Sequence, residues 1–286
     1  MKAVKLEFKT PIRIGDLGIG LESVSKVIHS DTLFSAIANA LVDLNEDLED
    51  FVERVRKGEL KISSAFPFGK DEYYLPAPVK PYEKKVEPFV TKEVFENLLS
   101  SNEVDRMEKD MPYKEFELPK VAVDRVTANT SIYYVSLLKF KDGGFYFLVD
   151  GKTREIEIAL KYLADEGIGG KRTWGLGRFE FEFEDFNFKT PKNSNAFVTL
   201  SVVFPQNLES IVFWKPIIRG GWTLKGKQIR KPRIIMVSEG SVFSGEEHGR
   251  VVDLDEFVEG FSAKVGHKVF INGKSFLIPA VVEYGD

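Results

Sequence analysis

The chain of 286 residues contains no cysteine, which excludes disulfides, thiolate metal sites and a cysteine nucleophile together. It has three histidines, His29, His248 and His267, so histidine chemistry is confined to those positions. No apolar run approaches the roughly 18 residues that a membrane-spanning helix needs, and the opening Met1-Lys-Ala-Val lacks the pattern of a signal peptide. The expected location is cytoplasmic, with no membrane partner. The nearest carboxylate cluster, Glu246-Glu247-His248 with Asp253 and Asp255, lacks ligand spacing and suits an acidic partner face better than a metal. Neither a metal nor a cofactor is expected. The chain also lacks a cationic excess: its net charge of −4 argues against a protein that coats nucleic acid without discrimination.

The distribution of charge alters that conclusion. Between Phe213 and Arg233 stand seven cations (Lys215, Arg219, Lys225, Lys227, Arg230, Lys231 and Arg233) and no carboxylate, whereas residues 239–259 carry seven carboxylates against Arg250. The basic run is interleaved with Trp214, Gly220, Gly221, Trp222 and Gly226, a mixture suited to phosphates and unstacked bases. From it Arg219, Lys225, Lys227 and Arg230 are taken as RNA-binding candidates, on charge alone.

The densest signal is Gly167-Ile-Gly-Gly-Lys-Arg-Thr-Trp-Gly-Leu-Gly-Arg178. Glycine admits positive φ and close backbone approach, and such a loop can aim several N–H groups at one anion. The helix-like run Arg154–Glu166 precedes it and the alternating Phe179-Glu-Phe-Glu-Phe183 follows. A helix-to-strand order excludes the nucleotide phosphate loop, which runs from strand to helix. Gly169, Gly170, Lys171, Arg172, Thr173 and Gly175 are candidates for holding RNA phosphates. Trp174 either stacks on a base or pins the loop to the core.

Along the chain, Val4–Phe8 alternates as a strand does. Leu33, Phe34, Ile37, Ala38, Leu41 and Val42 have helical spacing after His29-Ser-Asp-Thr32, where Ser30 or Asp31 is the expected N-cap. Asp43–Lys57 continues as a second, exposed helix. Prolines at 67, 76, 78, 81, 88, 112 and 119 mark residues 66–130 as a long insertion with a helical patch near Thr91–Met111. Ile132–Phe140 and Phe145–Val149 read as strands joined by a hairpin turn, Lys141-Asp-Gly-Gly144. Without the insertion, the order is β-α-β-β-α-β, that of the ferredoxin-like fold and of RNA-recognition modules. A linker at Asn187–Asn195 leads to strand candidates at Phe197–Phe204, Arg233–Val237, Val265–Ile271 and Lys274–Ile278. The expected class is α+β: two ferredoxin-like (RRM-like) domains in tandem, residues 1–188 with the insertion and residues 189–286 degenerate and strand-rich.

Three segments occur in order: Ile28-His-Ser-Asp-Thr-Leu33-Phe, Asp124-Arg-Val-Thr-Ala128 and the glycine loop. Together they make the chain resemble the RAMP (repeat-associated mysterious protein) superfamily of CRISPR proteins. Within it, the likeness is to the subunit family that caps the crRNA 5′ end in type III-A (Csm) effector complexes. The resemblance spans both halves and is weakest over residues 66–118 and after 240. It implies a non-catalytic ribonucleoprotein subunit that holds the repeat-derived 5′ handle of the crRNA. Its implied protein partners are the large polymerase-like signature subunit and a backbone RAMP subunit. It assigns the handle to the glycine loop and to His29 and Ser30, and makes Arg125 part of a thumb-like element at the handle–guide junction.

Two alternatives stay open. His29 at a helix N-terminus is placed to act as the general base of a metal-independent crRNA-processing endoribonuclease. In such enzymes of the superfamily the glycine loop lies near the C-terminus, whereas here 108 residues follow Arg178, which favours binding. The other alternative is a purely protein-bridging scaffold.

Overall fold

β1 (Lys2–Phe8) alternates between two faces of a sheet: Val4, Leu6 and Phe8 are buried on one, and Ala3 on the other. In the computed structural model, which describes residues 1–15, 20–70, 72–79, 88–101 and 110–282, helices and strands follow in a strand-rich order. α1 (Ser30–Asp43) and α2 (Leu48–Lys57) precede β2 (Lys61–Ile62), β3 (Phe66–Gly69), β4 (Glu72–Pro76) and β5 (Phe89–Thr91). Then come α3 (Lys92–Leu99), the long strands β6 (Tyr113–Val123) and β7 (Thr130–Phe140), β8 (Gly143–Asp150), α4 (Arg154–Glu166) and β9 (Phe179–Asp185). The main sheet has the order β5-β4-β3-β8-β1-β9, with β2 also on β8. Every described neighbour pair is antiparallel.

α4 begins and ends where its 3.6-residue periodicity does, with Ile156, Ala159, Leu160 and Leu163 buried. The second helix forms as expected, but it starts at Leu48 after an Asp47 cap and is not exposed throughout: Phe51, Val52 and Val55 are buried. The cap of α1 is His29 rather than Ser30 or Asp31, and no side chain caps it. The hydroxyl of Ser30 and the carboxylate of Asp31 are engaged elsewhere.

The expected hairpin over Lys141–Gly144 does not form. β7 pairs with β6 in a separate two-stranded sheet, and β8 takes β3 and β1 as neighbours. The backbone is the reason: a Cβ at Gly143 would lie 2.2 Å from the Phe68 carbonyl oxygen, and one at Gly144 only 1.8 Å from that of Leu6. The two glycines are needed so that β8 can enter between strands. The segment read as an insertion from residue 66 therefore supplies β3, β4 and β5 to the main sheet. Of the helical patch expected at 91–111, Lys92–Leu99 is helix, and 102–109 lies outside the described residues.

On one face Val4, Leu6, Phe145, Phe147 and Val149 pack beneath α1, α2 and α4. On the other, Ala3, Tyr146 and Leu148 pack against α3 and against strands of the second half. That half contains β10 (Ala196–Thr199), β11 (Ile211–Phe213), β12 (Pro216–Arg219), β13 (Ile234–Val237), β14 (Val242–Phe243) and β15 (Gly249–Asp253). α5 (Phe261–Val265), β16 (Phe270–Lys274) and β17 (Leu277–Ala280) complete it. Its strands form a sheet of order β11-β14-β10-β17 and the pairs β12-β13 and β15-β16. It is strand-rich as expected. Among the described residues its one α-helix has five residues, so it lacks the two-helix layer that a second ferredoxin-like unit would carry.

Because β8 is common to both cores, Leu148→Ala is expected to cost about 2–5 kcal/mol and to unfold both halves in one transition. Two calorimetric transitions, only one of them displaced, would contradict this.

Candidate nucleic-acid interface

The antiparallel sheet brings the end of β1, the starts of β8 and β9 and the end of α4 to one end of the molecule. The glycine loop sits there. Ile168 and Leu176, both buried, anchor it: Ile168 joins the helix-side core, and Leu176 packs with Val135 and Leu137 of β7. Ile168 N–H donates to the Gly177 carbonyl at 3.0 Å, Gly177 N–H to Pro11 at 2.9 Å, and Gly170 N–H to Arg13 at 2.7 Å. The base of the loop thus spends its amides on the chain itself. Lys171 has φ +61 and opens a single 3₁₀ turn, Arg172–Trp174, closed by Gly175 at φ +78. This tip, with Thr173 and Trp174 exposed and Lys171, Arg172 and Gly175 half-buried, faces solvent.

Trp174 is 39% exposed and does not pin the loop; Ile168 and Leu176 do that. Two cations lie over its indole, Lys120 Nζ at 4.5 Å and Lys171 Nζ at 4.9 Å from ring centroids. Lys120 belongs to β6, so the loop tip and the β6–β7 ribbon share one surface. The distal end of that ribbon projects away from the core. Val121, Val123, Val126 and Ile132 are exposed there, as is Arg125. Asp124 accepts the N–H groups of Val126 at 2.8 Å and Thr127 at 3.0 Å, which shapes the turn and holds its carboxyl below its ordinary pKa.

The helix start is buried instead of presented. His29 is 8% exposed, and its Nδ1 lies 2.7 Å from Glu239 Oε1. The same carboxylate accepts from the Ser64 hydroxyl, and from that of Ser238 at 2.9 Å. Burial alone would raise Glu239, but His29 and these donors outweigh it and bring its pKa down to about 2. Ser30 is fully buried, its hydroxyl accepting Val202 N–H at 3.2 Å. His29 and Ser30, proposed as RNA contacts from sequence, are internal bonds between the two halves. The same burial removes the access to RNA that a general base at His29 requires.

The basic run is partly spent in the same way. Arg219 donates from Nε and Nη2 to the two oxygens of Asp31, each at 2.9 Å, and to Thr32. Burial pushes Asp31 up, and the guanidinium outweighs it to hold the carboxyl below its ordinary pKa. Lys225 pairs with Asp43 at the far end of α1. Arg219 is thus a buried structural cation, and Lys225 is half committed. Lys227, Arg230 and Arg233 are exposed around the ribbon end where Trp222 is 57% exposed, and Lys215 is exposed at the other end of the β12–β13 pair. Of the acidic cluster, Glu247 is turned inward and accepts the N–H groups of Gln206, Asn207 and Gly249, each at 2.9 Å, Asp253 caps a turn, and Glu246 and His248 are exposed.

Sequence reading missed Lys120, Glu239 and Arg13. Lys120 and Glu239 sit in segments without a motif, and only the three-dimensional pairing reveals them. Among the described residues no helix is long and apolar enough to cross a membrane.

The family model of the RAMP superfamily matches residues 5–180, which places the chain in that class of CRISPR proteins. The model described as the CRISPR Csm4 C-terminal domain matches residues 192–280. A relative from Thermococcus onnurineus (strain NA1), described as CRISPR system Cms protein Csm4, is 32% identical over 301 residues, covering 96% of this chain and 94% of its own. A relative of the same description from Methanocaldococcus jannaschii is 28% identical over 348 residues, covering 91% and 92%. The crystal structure of a Csm1–Csm4 cassette in complex with cA4 matches with a TM-score of 0.71 at 25% identity, over 99% of each chain. A Csm3–Csm4 subcomplex of the type III-A interference complex shares the fold, with a TM-score of 0.67 at 22% identity over 98% and 99%. The chain belongs to the Csm4 family of the RAMP superfamily.

Breaking the buried pair from one side leaves a charge without its partner, so His29→Ala is expected to cost about 3–5 kcal/mol. Glu239 is ionised in the fold at a pH where the unfolded chain is protonated, so it stabilises the fold above its ordinary 4.5. The stability gap between wild type and Glu239→Gln is therefore full above pH 4.5 and closes as pH falls towards 2. Denaturant unfolding across that pH range tests this; a gap independent of pH would refute it.

Proposed function

We propose that this chain is a non-catalytic subunit of a type III-A CRISPR ribonucleoprotein that holds the crRNA 5′ handle. In that role it bridges a Csm1-like large subunit and a Csm3-like backbone subunit. The observation that carries the reading is the shared surface of the glycine-loop tip and the β6–β7 ribbon. It sets Lys120 and Lys171 against an exposed indole, with Arg172 in the same turn and Arg125 farther out on the ribbon, while the sequence's other candidates at the helix start are buried. The relatives' assemblies with Csm1 and Csm3 support the bridging part. We read the first half, with its neighbours β9-β1-β8-β3 and helices α1 and α4 on one face, as the ferredoxin-like RAMP unit. The second half is a strand-rich partner layer.

Magnitudes favour a base on Trp174. The lysine contacts at an exposed ring contribute about 0.5–1 kcal/mol each, whereas a stacked base contributes on the order of 1–3 kcal/mol. A base therefore displaces a lysine from the ring, and the displaced ammonium remains beside the phosphates.

In binding assays with handle RNA, Lys171→Ala/Arg172→Ala is expected to weaken affinity and flatten its salt dependence by about 0.7 in log–log slope per lost phosphate contact. Trp174→Ala should cost about 1–3 kcal/mol with little change of slope. Unchanged slope and affinity in both would remove the loop from the RNA site and favour a purely protein-bridging scaffold. Metal-independent cleavage of repeat RNA that His29→Ala abolishes would establish an enzyme instead.

A further inference from the structure

The crossing from β1 to α1 carries a cation that no described carboxylate neutralises. Arg13 is 5% exposed. Its Nη2 donates to the carbonyls of Gly20 at 2.7 Å and Ser23 at 3.5 Å. Its Nε is buried with no hydrogen-bond partner among the described residues. Burial draws its pKa below the ordinary arginine value, with no acidic neighbour acting against it among those residues. A guanidinium taken out of water without a counter-ion is costly, so this arrangement is incomplete without an anion.

The glycine loop fixes where that anion would sit. Gly170 N–H donates to the Arg13 carbonyl, and a Cβ on Gly169 would lie 2.5 Å from the same oxygen. Gly169 must therefore be glycine for the loop to lie on Arg13 at all. Gly170 is different. Its φ is outside the left-handed region, and a Cβ there would meet the Arg13 carbonyl oxygen at 3.7 Å and Nη1 at 3.9 Å, both ordinary contacts. Neither backbone nor packing demands glycine at 170. A side chain at that position would cover the guanidinium.

We propose that Arg13 forms the floor of an anion site beneath the glycine loop, and that its ligand is a backbone phosphate of the bound RNA strand. The proposal rests on the handle-binding reading and adds a deep, buried contact to the exposed cations of the loop tip. Guanidinium is the suitable cation, because it is planar, stays charged when desolvated and matches phosphate oxygens. In this arrangement Lys171 and Arg172 attract the strand, and Arg13 fixes its register against the loop.

The test uses the full-length chain and a labelled oligoribonucleotide carrying the 5′ handle. Affinity is measured against salt concentration, alongside the thermal unfolding midpoint. Arg13→Gln and Gly170→Ala are each expected to weaken binding roughly tenfold, as for a lost hydrogen bond to a charged group. Each should also lower the salt slope by about 0.7. Gly170→Ala is expected to keep the wild-type midpoint, which separates lost binding from lost folding, and Arg13→Lys should recover part of the affinity. If Gly170→Ala and a folded Arg13→Gln bind like wild type while Lys171→Ala/Arg172→Ala does not, Arg13 only braces the crossing and the proposal falls, with the handle reading intact. If the loop-tip variant also binds like wild type, the handle reading falls with it. Should Arg13→Gln not fold, wild-type affinity of Gly170→Ala overturns the proposal by itself.

Discussion

Three consecutive residues at the start of α1 are each spent on a different part of the second half. His29 meets Glu239, Ser30 takes the amide of Val202, and Asp31 receives Arg219 in a two-pronged pair. All six partners lie in or near the interior, where an ion pair is favourable only if its geometry is good and its remaining hydrogen-bonding capacity is filled. Ser64, Ser238 and Thr32 supply that capacity. The seam therefore specifies how the halves dock: a slip of one residue would leave several buried charges without partners at once.

The seam has a second consequence, in what it closes off. In RNA-recognition modules the open face of the sheet stacks bases on its aromatics. Here that face is shut, because Tyr146 and Leu148 pack against α3 and strands of the second half. Tyr146 is fully buried, and its hydroxyl donates to the Tyr74 carbonyl at 3.0 Å. That leaves the end of the sheet, where connections leave it, as the accessible part. The glycine loop and the β6–β7 ribbon are such connections.

Local periodicity made much of the first half legible: α4 was visible to the residue in its apolar spacing, and β1 and β9 in their alternation. The errors share a cause. The turn at Lys141–Gly144 has hairpin chemistry, yet β8 enters between two strands far away in sequence, and no local pattern reports which strand is the neighbour. Prolines at 67 and 76 suggested an insertion, although both residues lie in strands of the main sheet. At the site, residue type was a fair guide to chemistry and a poor guide to exposure. His29, Ser30 and Arg219 have the side chains of an RNA site, and Glu239, Val202 and Asp31, far apart in the chain, turn them inward. A sequence shows charges as runs; pairing across the fold decides which of them reach water.

The glycine loop itself shows why its composition alone was ambiguous between a turn and an anion cradle. Its glycines serve both ends. Gly177 has φ +78, and a Cβ on it would lie 2.1 Å from the Ile168 carbonyl oxygen, so its glycine is required by the fold. Gly170 meets no such constraint, and there a missing side chain keeps space open above a buried cation. The fold-required glycines bring the backbone down onto the β1–α1 crossing and commit its inner amides. That closeness puts Gly170 over Arg13 and turns the tip, with Lys171, Arg172 and Trp174, outward. The turn and the outward-facing tip are then successive parts of one construction: the first sets the depth of the loop, and the second is presented by it.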